Sequence, residues 1–382
     1  MSHEPPIYAL ACSGGGALGA YQLGVLKHIH REIAPASHSP FRVFVGSSAG
    51  SLNAGFLACR SHDARDAILE LESLWRSFHV PAYYGNPLLK ALRSRWWRGL
   101  LGRGRSAQWS LLPQTHLREI VERGFSRSGL DLATGRGTTL GVAVATTEFQ
   151  TASQVWFTEG EAATESDNGV ATVVRARLEA RHLVASCSVP LVFPLVRIGE
   201  RFYSDGDVAH HDPLGVAIGM GSRRILHIGM RARRPRDIPP LPSDHVPTIG
   251  EVMRMLQHGM RYDQATMQAG WLEVLNYFHA RLPAEYQASL PNSPPSGSVD
   301  LDRYQPVEVE LFRPSEPLDA HADSPKATGR TPGGLRFHKA YIARLIELGE
   351  SDASARHDDL VRFFDPSREQ RASRFEKAAP TP

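Results

Sequence analysis

Residues 7–19, IYALACSGGGALG, and residues 41–50, FRVFVGSSAG, decide the fold of this chain. In each stretch, a short apolar run typical of a buried strand ends at a cluster of small residues, after which a helical segment begins. A strand, a helix and a second strand of this kind imply a right-handed crossover between parallel neighbours, the unit of α/β sheets. The sequence therefore predicts an α/β fold with a mainly parallel central sheet flanked by helices.

Further apolar runs extend this pattern along the chain. They predict strands over 139–147, 154–158, 195–204 and 224–230, and an edge strand over 306–312. Helical patterns cover 63–78, 248–282 and 335–349. Because residues 231–247 are rich in proline, we expect three regions. These are an α/β unit over 7–230, an appended and mostly helical C-terminal region with loop-rich insertions over 231–350, and a polar, mobile tail over 351–382.

Composition excludes some classes of protein. The 382 residues include 43 Lys and Arg against 40 Asp and Glu, and 42% are hydrophobic. This balance excludes wholesale disorder and argues against nucleic acid as the main partner. Cys12, Cys59 and Cys187 show no C-x-x-C spacing, which predicts small buried side chains rather than disulfides or a metal site. We see neither a signal peptide nor an apolar run of membrane-spanning length, so we expect a cytoplasmic protein with at most peripheral membrane contact.

The first motif is the glycine cluster between the first strand and the first helix, Gly14-Gly15-Gly16-Ala17-Leu18-Gly19. It can be read as the G-x-G-x-x-G dinucleotide fingerprint, which needs an acidic residue at the end of the second strand. That strand ends instead in Gly46-Ser47-Ser48, which disfavours a nucleotide. Backbone N–H groups at such a helix start suit any anion, including an oxyanion.

The second motif, Gly46-Ser47-Ser48-Ala49-Gly50, fits G-x-S-x-G at a strand-to-helix turn. In this context Ser48 is the candidate nucleophile and Ser47 should point away from the site, although Gly/Ser turns without catalytic function are also common after strands. A serine nucleophile needs a base. The histidines His210, His211, His227 and His258 lie in no distinctive motif. Asp205-Gly206-Asp207 follows a strand, yet Asp-Gly alone is a frequent turn pair.

Together, the glycine cluster, the G-x-S-x-G, the Asp-Gly and the segment 185–194, ASCSVPLVFP, resemble the patatin-like phospholipase family over residues 7–230. The resemblance implies a three-layer fold and a lipid acyl hydrolase without metal or cofactor. It implies Ser48 as nucleophile and Asp205 as base. The N–H groups around Gly14, Gly15 and Gly16, in a motif that Gly19 closes, would form the oxyanion hole. Asp207 departs from the glycine or alanine usual in the family, and Leu18 replaces a basic residue.

Residues 88–105 combine six basic residues, no acidic ones and the pair Trp96-Trp97. This mixture suits a membrane interface with anionic headgroups, and equally a packed cap helix with a basic outer face. Three functions stay open. The chain is a hydrolase of phospholipids or other lipid esters, a nucleotide-binding protein that uses the glycine cluster, or a catalytically silent scaffold. The sequence does not indicate the oligomeric state or the preferred acyl chain.

Overall fold

A computed structural model describes residues 6–78, 110, 113–167, 169, 171–209, 213–232, 264–283, 306–318 and 337–365. Its strands are β1 Tyr8–Cys12, β2 Val43–Ser47, β3 Gly141–Glu148, β4 Gln154–Glu159, β5 Ser166–Asp167, β6 Ala171–Arg175, β7 Val196–Ile198, β8 Arg201–Asp205, β9 Arg224–Ile228 and β10 Glu308–Phe312. Its helices are α1 Ala20–His28, α2 Ala49–Cys59, α3 Ala64–Ser77, α4 Thr115–Gly124, α5 Arg127–Gly135, α6 Ala180–Ser186, α7 Pro213–Gly219, α8 Gln264–His279, α9 Lys339–Ala355 and α10 His357–Phe364.

The strands form one sheet in the order β10-β9-β1-β2-β3-β4-β6-β5, with β8 paired to β3 and to β7. The five strands from β10 to β3 are parallel, as the crossover pattern predicted. β4 and β8 are both antiparallel to β3. The predicted strand over 195–204 is two short strands, because the chain reverses at Gly199, whose φ is +60°.

Both faces of the sheet are covered, which is why its strands read as near-continuous apolar runs. On one face Leu10 and Phe44 pack against α1 to α6, α9 and α10. On the other face Ala11 and Val45 pack against α7 and α8. The chain therefore forms three layers around the sheet, and the glycine cluster and the G-x-S-x-G turn both lie at the edge where parallel β1 and β2 end.

The C-terminal region contributes directly to these layers. β10 extends the sheet beside β9, as the predicted edge strand required. Helix α9 crosses α1 at a very short distance, since a Cβ placed on Gly24 would lie 2.0 Å from the main-chain oxygen of Ile346. The Tyr21 hydroxyl also donates a hydrogen bond of 2.8 Å to Asp352 on α9.

Two sequence-based boundaries need correction. The boundary at residue 230 separates β9 from its sheet neighbour β10. The boundary at 351 falls inside α9, and α10 follows it with Leu360 and Phe363 buried, so residues 351–364 are helical rather than a mobile tail. The polar composition of the segment hid two apolar positions three residues apart on one helix face. Most of the predicted linker 231–247 and the N-terminal part of the predicted helix 248–282 lie outside the described residues.

Candidate active site

The turn between β2 and α2 holds Ser48 in a backbone conformation that non-glycine residues rarely adopt, with φ +50° and ψ −128°. Neighbouring glycines make the turn possible. A Cβ placed on Gly50 would lie 2.1 Å from the main-chain oxygen of Cys12, and one on Gly46 would lie 2.4 Å from that of Gly50. Strain of this kind at a strand-to-helix turn is typical of a nucleophile elbow.

Ser48 and Asp205 meet at this turn. The Ser48 hydroxyl donates a hydrogen bond of 2.6 Å to Oδ2 of Asp205, and the two residues are 5% and 3% exposed. The second carboxylate oxygen, Oδ1, accepts a 2.8 Å hydrogen bond from the backbone N–H of Asp207. Thr147 donates to the main-chain oxygen of Asp205 at 2.8 Å. The backbone therefore holds one carboxylate oxygen, and the other oxygen accepts the hydrogen bond from the serine.

The segment 185–194 also contacts the elbow. The Ser48 N–H donates to the hydroxyl of Ser186 at 3.0 Å, and the Ser48 main-chain oxygen accepts from the Cys187 thiol at 3.1 Å. Burial, and then the charge of Asp205, raises the pKa of the Cys187 thiol, so the sulfur keeps the proton that it donates. The sequence predicts only a small buried hydrophobic role for Cys187 and does not predict this hydrogen bond. Its position within the segment that resembles the family was the available signal.

The glycine cluster lies beside the elbow because β1 and β2 are parallel and pair Cys12 with Gly46. The chain leaves β1 through Gly14 and Gly15 and makes one turn of 3₁₀ helix over Gly16–Gly19 before α1. Gly16 has φ +59°, a conformation that favours glycine. A Cβ on Gly19 would lie 3.0 Å from both Ala49 Cβ and the Trp75 ring, so the end of the cluster packs closely against the start of α2.

Asp207 links the elbow to the glycine cluster. Its Oδ1 accepts a hydrogen bond of 2.6 Å from Ser47, while its Oδ2 would lie 2.0 Å from a Cβ placed on Gly14. Gly206 precedes it at a tight point where a Cβ would meet the main-chain oxygen of Ala145 at 2.5 Å. Ser47 therefore points to Asp207 and not to Asp205. The sequence does not predict this contact, although position 207 is where the chain departs from the family pattern.

The other sequence candidates are placed as follows. His227 lies buried on β9, and its Nε2 is 2.9 Å from the hydroxyl of Ser13, just before the glycine cluster. His210, His211, His258 and the segment 88–105 lie outside the described residues.

Cys12 and Cys59 are buried and unpaired with each other, and burial raises the pKa of Cys59 to about 11. Within the described ranges no group of three His, Cys, Asp or Glu side chains could hold a metal ion. No helix in those ranges combines the length and apolar character needed to cross a bilayer.

The site combines a strained serine elbow, a carboxylate in hydrogen-bond contact with the serine, and a glycine cluster at the same sheet edge. The profile of the family described as patatin-like phospholipase matches residues 10–218, more than half of the chain. The chain belongs to the patatin-like phospholipase family.

Solved structures with a similar fold come from several organisms. VipD from Legionella pneumophila is 13% identical with a TM-score of 0.38, and the match covers 94% of this chain and 67% of that one. Human GIVD cytosolic phospholipase A2, solved with methyl gamma-linolenyl fluorophosphonate, is 11% identical with a TM-score of 0.42, and the match covers 94% of this chain and 58% of that one. The ExoU–SpcU complex of Pseudomonas aeruginosa gives 16% identity, a TM-score of 0.27, and coverage of 75% and 57%. This chain thus spans less than two thirds of the human and Pseudomonas proteins. No curated protein matches it significantly.

Proposed function

We propose that the protein is a serine acyl hydrolase that cleaves carboxylic esters of lipids with a Ser48–Asp205 dyad. The observation that carries this proposal is the buried 2.6 Å hydrogen bond from the Ser48 hydroxyl to Asp205. A carboxylate in contact with a serine on a strained elbow meets the geometric requirement for an activated nucleophile, which is a base within hydrogen-bond reach.

The reaction has two halves. Ser48 Oγ attacks the ester carbonyl carbon while Asp205 takes the hydroxyl proton, and the carbonyl oxygen becomes an anion. N–H groups of the Gly14–Gly16 cluster stabilise that anion. The intermediate then collapses, and the leaving alcohol takes the proton from Asp205. Water attacks the acyl-enzyme with Asp205 again accepting a proton, and the proton returns to Ser48 as the fatty acid leaves. No cofactor is needed for any step.

The substrate class follows from family membership. Phospholipids and lysophospholipids are the proposed substrates, with the phospholipase A and lysophospholipase reactions as the specific types. Peripheral contact with a membrane surface remains part of the proposal, because such esters reside in membranes. The basic and aromatic segment 88–105 is the proposed contact.

The alternative functions receive less support from the site. The dinucleotide fingerprint needs an acidic residue at the end of the second strand to bind the ribose, and β2 ends instead at Gly46 and Ser47. A silent scaffold gives no reason for a strained serine held in hydrogen-bond contact with a buried carboxylate, since strain of this kind persists at functional sites.

Fluorophosphonate labelling followed by intact-mass analysis tests the proposal. The wild-type protein should gain one adduct that maps to Ser48. Ser48→Ala should gain none, and Asp205→Asn should gain it far more slowly while both variants stay folded by circular dichroism. Ser47→Ala is the matched control for the neighbouring hydroxyl and should still carry the adduct at position 48. A panel of phospholipid, lysophospholipid and triglyceride esters then defines the substrate. Full labelling of Ser48→Ala, or no hydrolysis of any lipid ester by a labelled wild type, would overturn the proposal.

A further inference from the structure

We infer that Gln22, Asn53 and Trp75 form a positioning network that fixes the glycine cluster against the elbow helix, in the orientation that oxyanion stabilisation requires. This inference rests on the proposed function. Their hydrogen bonds go to one another and to main-chain oxygens at the two ends of the cluster and on β9, so they act through the cluster and are positioning residues.

The network forms hydrogen bonds to the main chain at both ends of the glycine cluster. Gln22 Nε2 donates to the main-chain oxygen of Ser13 at 2.8 Å, immediately before Gly14. Asn53 Nδ2 donates to the main-chain oxygen of Gly19 at 3.0 Å, where the cluster ends. The second N–H of Gln22 reaches the main-chain oxygen of Ile228 on β9 at 3.1 Å. The cluster is thereby tied to a sheet strand and to helix α2.

Helix α2 makes the connection to the nucleophile. It begins at Ala49, directly after Ser48, and carries Asn53 one turn later. Asn53 Nδ2 also donates to Gln22 Oε1 at 2.8 Å, and its Oδ1 accepts from the Trp75 indole at 2.8 Å. The position of the cluster relative to the elbow is therefore set by one continuous chain of side-chain hydrogen bonds.

The Trp75 indole fixes the donor-to-acceptor direction of this series of hydrogen bonds. An indole N–H can only donate, so it must face the oxygen of the Asn53 amide. The Asn53 nitrogen then faces Gly19 and Gln22, and the Gln22 oxygen faces Asn53, which leaves the Gln22 nitrogen for the two main-chain carbonyls. Every N–H of the two side-chain amides therefore donates a hydrogen bond, and each amide oxygen accepts one. Gln22 and Asn53 are entirely buried and Trp75 is 1% exposed, so no water competes for these bonds.

The network affects the proposed oxyanion donor through the orientation of the Ser13–Gly14 peptide group. In a trans peptide the C=O and the following N–H point in opposite directions. Because the Ser13 carbonyl points at Gln22, the N–H of Gly14 points away from the network. This group is one of the proposed oxyanion donors. Loss of the network would free the Ser13–Gly14 peptide to rotate, and the donor would lose its fixed direction.

Trp75→Phe tests the inference because it keeps an aromatic ring and removes the directing donor, and like its control it also loses part of the indole volume, here ring atoms beside Gly19. Trp156→Phe is the matched control. Trp156 is also fully buried and donates one indole hydrogen bond, of 2.9 Å to Gln154, but it packs on the opposite face of the sheet. Removing an oxyanion donor outright costs roughly 100- to 1,000-fold in kcat. We expect about a tenfold loss for Trp75→Phe, since the donor remains but is no longer held.

The readouts separate positioning from folding. With a monomeric short-chain ester, Trp75→Phe should lower kcat with little change in KM, and the rate of fluorophosphonate labelling at Ser48 should fall in parallel. The urea midpoint should shift no more than in Trp156→Phe. Asn53→Asp, which keeps the acceptor for Trp75 and loses both donors, should lower kcat further. If both tryptophan variants lose kcat equally, or only in proportion to the folded fraction, the inference is wrong. Failure of the wild type to be labelled at Ser48 would instead overturn the proposed function itself.

Discussion

The Asp207 carboxylate occupies the space that a side chain on Gly14 would need, so Gly14→Ala should be costly only while Asp207 is present. The new Cβ would lie 2.0 Å from Oδ2 and 2.5 Å from the carboxyl carbon. Because the obstacle is the end of a flexible side chain, Asp207 can swing aside. It would then lose its 2.6 Å hydrogen bond from Ser47.

The magnitude follows from that bond. A hydrogen bond to a charged group contributes about 1.5–3 kcal/mol to stability, so we expect Gly14→Ala to lower the free energy of unfolding by about 2 kcal/mol. Gly14 is not among the positive-φ glycines, so alanine adds no left-handed backbone strain there. In an Asp207→Gly background the carboxylate is gone and the cost should fall to about 0.5 kcal/mol or less, a coupling of about 1.5 kcal/mol or more between the two sites.

Urea unfolding of the four proteins of this cycle measures the coupling, provided that the m-values agree. Gly50→Ala in the same two backgrounds is the control. Its Cβ would meet the main-chain oxygen of Cys12 at 2.1 Å, which no change at position 207 relieves, so its cost should be the same in both. Equal costs of Gly14→Ala with and without Asp207 would refute the reasoning.

Two further predictions concern the C-terminal layer and its neighbours. Both ring nitrogens of His30 are buried with no partner among the described residues, and burial lowers its pKa to about 4. The imidazole of His30 therefore binds a proton more tightly in the unfolded state than in the folded one. The free energy of unfolding is unaffected above about pH 6.5 and decreases as the pH falls towards 4, by up to about 3 kcal/mol. His30→Gln should flatten that part of a plot of urea midpoint against pH, and an unchanged slope would count against the burial argument. Gly349→Ala places a Cβ 2.1 Å from the main-chain oxygen of Tyr21 and should destabilise by about 3 kcal/mol. Gly270→Ala, with nothing within 4 Å, should instead stabilise α8 by roughly 0.5–1 kcal/mol in the same unfolding assay, and equal effects would exclude the helix contact.

The local part of the site could be predicted from sequence. The two strand–turn–helix units and the glycines that permit the turns are encoded within a few residues of each other, so their pattern predicts the elbow and the cluster directly. The contacts between these turns could not be predicted in this way. Asp207 meets Ser47 across 160 positions of sequence, and only the tertiary fold shows which side chains face each other.

Gln22 is a case in which the sequence marks a residue as unusual without identifying its partners. It stands out as the polar exception in the otherwise apolar face of α1, which signals a buried partner without saying which. Its partner Asn53 lies on another helix, and the carbonyls that it holds belong to two strand ends. The close crossing of α1 and α9 was likewise not predicted, because Gly24 and Gly349 lack side chains that could enter a hydrophobic pattern.

Strand register, finally, brings the nucleophile and the base together. β2 pairs Ser47 with Ala145 on β3, so Ser48 follows at the level of Thr146. β4 occupies the opposite edge of β3, so β8 pairs with β3 on the same edge as β2, beyond the end of β2, and sets Asp205 opposite that same Thr146. A slip of β8 by one residue would turn the Asp205 side chain to the opposite face of the sheet. Two backbone hydrogen bonds to the C-terminal end of α6 and the residues after it oppose such a slip, from the N–H of Asp205 to the oxygen of Ser188 at 2.9 Å and from the N–H of Gly206 to the oxygen of Ser186 at 3.2 Å. Ser186 also holds the elbow, so the same few residues that fix the register of the base fix the position of the nucleophile.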